Sequence, residues 1–373
     1  MSSAWRAPAL RLSKAMTATL PIDRILPDLV ETLRAESRLV LQAPPGAGKT
    51  TRVPLAILKA GLTEGRIIML EPRRLAARAA AERMAQTLGE PVGQTVGFRM
   101  RGQSRISKAT RIEVITEGIL TRMLQDQPDL PGVGVVIFDE FHERSLNADL
   151  GLALCLEVAE ALRDDLKLVV MSATLDADPV AALMDAKILT SEGRSYEVTS
   201  HWLDRPLAKD MRLERATADL TLKALEAEAG SALVFLPGEG EIRRTQAWLA
   251  PQTGADVSVH PLYGAMDFKD QRNAIATARE GRKVVLATSI AETSLTIEGI
   301  RIVVDAGRAR RSEFDASSGM ARLVTTRVSR AAATQRAGRA GRIAPGSCYK
   351  LWTKGEDGAL AAFPPAEIEV SDL

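Results

Sequence analysis

The chain is poor in the residues that build disulfide frameworks, metal centres and stacking platforms. Its 373 residues include 2 cysteines and 3 histidines, and aromatic side chains make up 4%. Cys155 and Cys348 stand far apart in apolar or strand-like surroundings. That argues against a disulfide scaffold and a zinc module, and fits a reducing cytoplasm. No apolar run reaches the length needed to cross a bilayer, so no membrane partner is expected. Charge of one sign is missing too: 49 Lys and Arg against 47 Asp and Glu leave a formal net charge of +2. Any basic surface must therefore be local. What remains, 46% hydrophobic and 26% charged, is globular and long enough for two domains.

Residues 1–22 carry Arg6, Arg11 and Lys14 with no acid before Asp23, but lack the continuous apolar stretch of a secretory signal. A flexible extension over 1–17 is expected. Beyond it, short β-rich apolar runs alternate with helical stretches twice over. The first set is Leu39–Gln42, Ile67–Leu70, Ile112–Thr116, Val135–Asp139 and Leu168–Ser172; the second is Ala232–Leu236, Val257–Leu262, Lys283–Thr288 and Ile302–Asp305. Strands buried on both faces read as continuous Val/Ile/Leu runs. Their alternation with helices predicts an α/β fold with mainly parallel sheets. Ser191–Pro206 reads as polar and irregular, which places a boundary near Ser191–Gly193 and two domains over 18–192 and 193–373. Arg308–Phe314 and Met320–Val328 flank a Ser-Gly turn and predict a β-hairpin inserted in the second domain.

Ala43-Pro44-Pro45-Gly46-Ala47-Gly48-Lys49-Thr50 follows a predicted strand and opens a predicted helix. That context marks a phosphate-binding loop, although Ala43 replaces the first glycine of the general pattern. Gly46 and Gly48 free backbone amides to turn toward phosphate oxygens. Lys49 reaches the β- and γ-phosphates, and Thr50 supplies a hydroxyl for Mg²⁺. Asp139-Glu140 ends an apolar strand, where α/β sheets bind ligands. Asp139 suits the Mg²⁺ shell, which Glu140 also adjoins; Glu140 suits the base that activates water. His142, two residues on, is a candidate for coupling. Near the C-terminus, Gln335-Arg336-Ala337-Gly338-Arg339-Ala340-Gly341-Arg342 repeats arginine every third residue. That spacing predicts guanidinium groups on roughly one face, suited to a phosphate.

Taken in order, these segments resemble a known family. Gly48-Lys49-Thr50, Glu71-Pro72-Arg73-Arg74, Thr116-Glu117-Gly118, Asp139-Glu140-Phe141-His142, Ser172-Ala173-Thr174, Phe235-Leu236-Pro237-Gly238, Thr288–Thr296 and Gln335–Arg342 are similar to the motifs of superfamily 2 helicases of the DEAH/RHA group. Phe141 in place of alanine, followed by Glu143-Arg144-Ser145-Leu146, resembles the bacterial HrpB-type subgroup. The similarity runs from about Leu20 to the end of the chain.

The resemblance implies two tandem RecA-like (P-loop NTPase) domains with ATP between them. Gly46, Ala47, Gly48, Lys49, Thr50, Thr51, Arg83, Ser294 and Glu298 would bind the nucleotide, and Thr50, Asp139 and Glu140 would hold Mg²⁺. Gln335 would place the attacking water, and Arg339 and Arg342 would serve as arginine fingers. Ser172 and Thr174 would link nucleotide state to domain closure. Arg73, Arg74, Thr116 and Thr288 would grip a nucleic-acid backbone, as would the segment carrying Arg99 and Arg101. Around Asn273-Ala274 the chain lacks the aromatic ring that relatives stack on the base, which implies weak discrimination among NTPs. Ser289 stands where relatives usually have asparagine. Relatives continue into winged-helix and helical-bundle domains, so a truncated piece is expected.

The expected activity is ATP-driven movement along single-stranded or tailed RNA with duplex unwinding, in a cytoplasmic monomer. A ribonucleoprotein is a further candidate partner. Few aromatics mean that binding should rest on phosphates and be salt-sensitive and sequence-blind. The hairpin would lie near the nucleic-acid exit. A DNA-directed translocase and a nucleotide-switched clamp that does not unwind are the alternatives.

Overall fold

The protein is described by a computed structural model over residues 19–173, 177–193, 196–208, 210–278, 280–292, 297–315 and 320–370. The expected N-terminal extension, Thr174, Ser294 and the tip of the predicted hairpin lie outside the described residues. The chain divides into two compact units, Met1–Gly193 and Arg194–Leu373.

The first unit is built on eight strands: β1 Arg38–Gln42, β2 Arg66–Glu71, β3 Val96–Met100, β4 Gln103–Arg105, β5 Ile112–Thr116, β6 Val133–Phe138, β7 Lys167–Ser172 and β8 Lys187–Thr190. They form one sheet in the order β4-β3-β5-β2-β6-β7-β1-β8. Every neighbouring pair is parallel except β3 and β4. All six residues of β6 are buried, as a strand covered by helices on both faces requires. Helix Leu146–Ala161 starts on Ser145, whose hydroxyl accepts from the Ala148 amide. Its buried residues Ala148, Leu152, Cys155, Leu156 and Ala159 recur at helical spacing and join Phe138, Val136 and Leu120 in one core cluster. Full burial of each such leucine or valine contributes about 1.5–3 kcal/mol.

The second unit carries β9 Val198–Leu203, β10 Ser231–Phe235, β11 Val257–Leu262, β12 Arg282–Ala287, β13 Ile300–Asp305, β14 Arg308–Asp315, β15 Met320–Arg327 and β16 Gly346–Thr353. Six make a parallel sheet ordered β11-β12-β10-β13-β16-β9, and β14 and β15 form a separate antiparallel hairpin. The α/β expectation, the parallel sheets and the hairpin are what the structure has.

Reading Ser191–Pro206 as irregular missed β9, which pairs with β16 at the sheet edge. Its residues are half-buried or exposed, with Thr199, Ser200 and His201 among them. An edge strand of that kind has no continuous apolar signature, and its partner supplies the order. The short polar β4, exposed along its whole length, was invisible for the same reason. The buried lysine of β12, Lys283, donates to the Ala274 and Ala276 carbonyls at the end of helix Phe268–Ile275, which satisfies groups a helix terminus leaves open.

Candidate active site

The adjacent strands β5, β2, β6, β7 and β1 end at one edge of the first sheet. Their C-terminal ends deliver Thr116, Glu71, Asp139, Ser172 and the loop that begins at Ala43. Parallel sheets bind ligands at this edge. Register fixes the arrangement: Gln42 lies beside Ser172 and Glu71 beside Thr116, and the Ala43 amide donates to the Ser172 carbonyl at 2.9 Å.

The loop leaves β1 and turns into helix Lys49–Lys59 through two glycines with left-handed backbone, Gly46 (φ 87°) and Gly48 (φ 97°). A Cβ on Gly46 would meet nothing within 4 Å, whereas one on Gly48 would fall 2.6 Å from the Leu20 side chain. The segment Pro21–Arg24 braces the loop, since the Ile22 amide donates to the Ala47 carbonyl at 3.2 Å and Asp23 lies 3.6 Å from Arg52. Gly48→Ala is expected to weaken ATP binding about tenfold. The added methyl meets Leu20, and L-residues are disfavoured by about 1–2 kcal/mol at such backbone angles. Titration with a fluorescent nucleotide checks it.

At the head of the loop, Lys49 is buried against both carboxylates, 2.6 Å from Asp139 Oδ1 and 3.0 Å from Glu140 Oε1. Burial opposes its charge, but Asp139 and Glu140 outweigh burial and hold the ammonium above the usual lysine range. The Thr50 hydroxyl donates to Asp139 Oδ2 at 2.5 Å, and the Glu140 amide donates to Asp139 Oδ1 at 2.8 Å. Glu140 itself holds left-handed backbone, φ 52° and ψ 33°, a costly conformation for a residue with a side chain.

His142 sits behind this pair. The Ala173 amide donates to its Nδ1 at 3.3 Å, which puts the proton of a neutral ring on Nε2, 3.5 Å from Glu140 Oε2. Burial pushes its pKa below the ordinary value, which favours the neutral ring. The histidine therefore bridges the carboxylate turn and the Ser172-Ala173 segment at the end of β7. Phe141, the departure from the DEAH spelling, is buried edge-on against Phe138 with ring centroids 6.1 Å apart. It anchors the turn in the core.

Within the second unit, helix Arg330–Ala337 ends before the arginine run does. Arg336 is 1% exposed and faces inward, 2.7 Å from Asp305 Oδ1 and 2.6 Å from Glu292 Oε1, over the ring of Phe235 at 5.0 Å. Its place in the core corrects the expectation of a single arginine face. Arg339 follows in a turn, nearly buried, and donates to the Glu292 carbonyl at 2.8 Å. Gln335 and Arg342 are half-buried. Thr288 is half-buried at the end of β12, and Glu298 is exposed and accepts from Thr277 at 2.7 Å.

Two family models match in tandem: DEAD/DEAH box helicase over residues 24–183 and helicase conserved C-terminal domain over residues 214–344. The chain carries a DEAD/DEAH box helicase domain followed by a helicase C-terminal domain. It is 53% identical over 358 residues to the Escherichia coli K12 protein named ATP-dependent RNA helicase HrpB, covering 95% of this chain and 44% of that protein. It is 34% identical to the E. coli ATP-dependent RNA helicase HrpA, covering 95% of this chain and 28% of that protein. The crystal structure of the E. coli DEAH/RHA helicase HrpB superposes with a TM-score of 0.90 at 53% identity, over 95% of this chain and 45% of that one. The chain thus spans less than half the length of these relatives.

In this chain the first sheet also borders an open groove of about 630 Å³ whose walls include Arg99, Arg101, Gln103, Thr116, Arg122 and Asp126. It brings together three of the residues expected at a nucleic-acid backbone. Arg99 is partly committed elsewhere: its Nε lies 2.6 Å from the fully buried carboxylate of Glu113, which Arg66 also meets at 2.9 Å. Arg73 lies 3.2 Å from Glu143, Arg74 is exposed, and Arg83 is exposed on helix Arg74–Leu88.

Three contributors had no assigned role in the sequence. Glu71 is completely buried at the end of β2. Burial, then Asp139 and Glu140, pushes its carboxyl well above the usual range. A lone acid closing an apolar strand beside the Asp-Glu strand was its only signal. Arg122 needed the fold to reach the groove. Glu143 needed it to meet Arg73.

Proposed function

We propose that the chain hydrolyses ATP at the Lys49–Asp139–Glu140 cluster and couples turnover to movement along single-stranded or tailed RNA with duplex unwinding. The observation that carries the reading is this buried cluster beneath a glycine loop with two left-handed turns. An ammonium held between two carboxylates there occupies a place built for a polyanion and its counter-charge. The names of the relatives support RNA as the nucleic acid, and the groove with Arg101 and Arg122 supports a backbone-directed grip.

The donor set fits magnesium. Thr50 Oγ1 and the Asp139 carboxylate are hard oxygens in contact. Among the described residues no cluster of three His, Cys, Asp or Glu could hold a metal alone, as expected for an ion shared with phosphates. When bound, Mg²⁺ would neutralise charge on the phosphate oxygens. Thr50 and Asp139 would hold it, with Glu140 beside them. Lys49 would then turn from Asp139 to the β- and γ-phosphates, and the loop amides would bind their oxygens. Glu140 would take the proton of the attacking water, with His142 Nε2–H facing its other oxygen. Arg339 and Arg342 would supply the positive charge that such reactions gain from an arginine finger, worth about 10³–10⁵ in rate, and Gln335 would help place the water. Thr51, Arg83, Ser294 and Glu298 complete the proposed nucleotide contacts. Ser172 and Thr174 relay the nucleotide state. Arg73, Arg74, Arg99, Arg101, Thr116 and Thr288 grip the RNA. We take the protein to be a cytoplasmic monomer.

The test is ATPase turnover titrated with poly-uridylate RNA and with single-stranded DNA at two salt concentrations. Stimulation by RNA that weakens steeply with salt is expected. Arg122→Ala should raise the half-saturating RNA concentration and lower the salt slope by about one. Equal stimulation by DNA would favour a translocase on DNA, and no stimulation would overturn the reading.

A further inference from the structure

The turn that follows the two carboxylates is tied to more than the nucleotide. Glu140 opens it and Arg144 closes it, and both hold left-handed backbone, φ 52° and 49°. Residues with side chains seldom adopt that region unless their surroundings impose it. Between them Phe141–Glu143 make a single 3-10 turn. The surroundings that impose it include four polar contacts beside the 3.0 Å pair of Arg144 Nε with Asp149 Oδ1. Glu140 meets Lys49 at 3.0 Å, His142 accepts from the Ala173 amide, Glu143 Oε2 meets Arg73 Nη2 at 3.2 Å, and Ser145 Oγ donates to Glu117 Oε2 at 2.5 Å.

The Ser145–Glu117 contact leads to the groove, whereas Arg73 stands outside its lining and approaches it through β2. Glu117 directly follows Thr116, which lines it. Arg73 lies two residues beyond Glu71, the strand neighbour of Thr116. Nucleotide chemistry gives Glu143 nothing to do, whereas its partner is one of the residues proposed to grip RNA. A guanidinium that engages a phosphodiester fork cannot keep the same donors on a carboxylate. The Arg73 and Glu143 side chains are 21% and 19% exposed, so a backbone phosphate can reach the pair.

We infer that Glu143 is a positioning residue that holds Glu140 in a resting orientation through its ion pair with Arg73, and that an RNA phosphate engaging Arg73 releases the turn. RNA then acts by differential contact with two arrangements of one short turn. The inference rests on the RNA-dependent reading above. It explains why the carboxylate turn, the Arg73 segment and the Thr116-Glu117 segment are joined by side chains within one unit.

The experiment measures ATPase turnover of the 373-residue chain with and without poly-uridylate RNA, for wild type, Glu143→Gln and Glu143→Asp. Glutamine keeps the shape and removes the charge. Glu143→Gln is expected to raise RNA-free kcat within the roughly 5–150-fold range of typical couplings, to leave kcat at saturating RNA unchanged, and to lower the half-saturating RNA concentration. Glu143→Asp restores the charge and should return RNA-free kcat toward wild type. If wild type responds to RNA while Glu143→Gln keeps a wild-type RNA-free rate, the inference is overturned and the RNA reading stands. A parallel fall of both rates in Glu143→Gln, with an unchanged melting curve, makes the contact merely structural and also overturns it. If wild type does not respond to RNA, the reading and the inference fall together.

Discussion

Glu140→Gln is expected to bind ATP as tightly as wild type and to turn it over about 10²–10⁴-fold more slowly, the usual contribution of a positioned general base. Glutamine preserves the volume of a side chain buried beside Lys49 and His142, and it keeps an oxygen that can accept from either. It loses the charge that faces Lys49 and, with it, the capacity to take a proton. Asp139, 2.6 Å from Lys49, still holds the ammonium at the loop. Lys49→Ala is the contrast. It leaves Asp139 and Glu140 facing each other without their counter-ion. Like charges so placed repel phosphate as well as one another, so binding and turnover should fail together. Equilibrium nucleotide binding and phosphate release, measured side by side on the two variants, separate these outcomes. Ordinary turnover in Glu140→Gln would remove the base assignment.

The elements that place this cluster were legible because they obey short-range rules. The continuous apolar run Val135–Phe138 reads as a buried strand, and the structure buries all of it. Lys49 and Asp139 are ninety residues apart, yet each follows its own strand to the same sheet edge, so the strand pattern already implied their meeting. Where a residue's partner comes from elsewhere in the fold, the signal fades. The edge strand Val198–Leu203 looks polar because its residues are half-buried or exposed and none is buried. The ion pair of Glu143 is invisible until Arg73 is brought to it by the end of β2. The three-residue spacing of arginines from Arg336 to Arg342 suggested one face, but spacing does not reveal that Asp305 and Glu292 wait in the core. A buried acid at the end of β13 is a pattern that asks for a partner without naming it.

Arg336→Met is the second large effect, and it falls on stability. The guanidinium neutralises Asp305 and Glu292 at once, and its side chain is as buried as that of Asp305, each 1% exposed. Removing one partner from a buried ion pair costs about 3–5 kcal/mol, because the remaining charge is stranded. For a unit of this size that corresponds to a fall in Tm of roughly 6–20 °C. The two acids outnumber the arginine. Burial, with Glu292 adding to it and Arg336 opposing it, raises the Asp305 carboxyl above its ordinary value of 3.8, while the two carboxylates outweigh burial and raise the guanidinium. The sign of the pH dependence follows. An acid with a raised pKa in the folded state binds protons that the unfolded chain has released, so stability is lost as pH climbs from about 3.8 through the folded value. Without Arg336 that folded value rises further and the window widens. The penalty of Arg336→Met should therefore be larger at pH 8 than at pH 5, and adding Asp305→Asn should recover much of it at pH 8 by removing the stranded charge. Thermal unfolding of the three proteins at both pH values measures each of these. A penalty equal at the two pH values, or untouched by Asp305→Asn, would show that the arginine supports the second unit by packing over Phe235 and not by its charge.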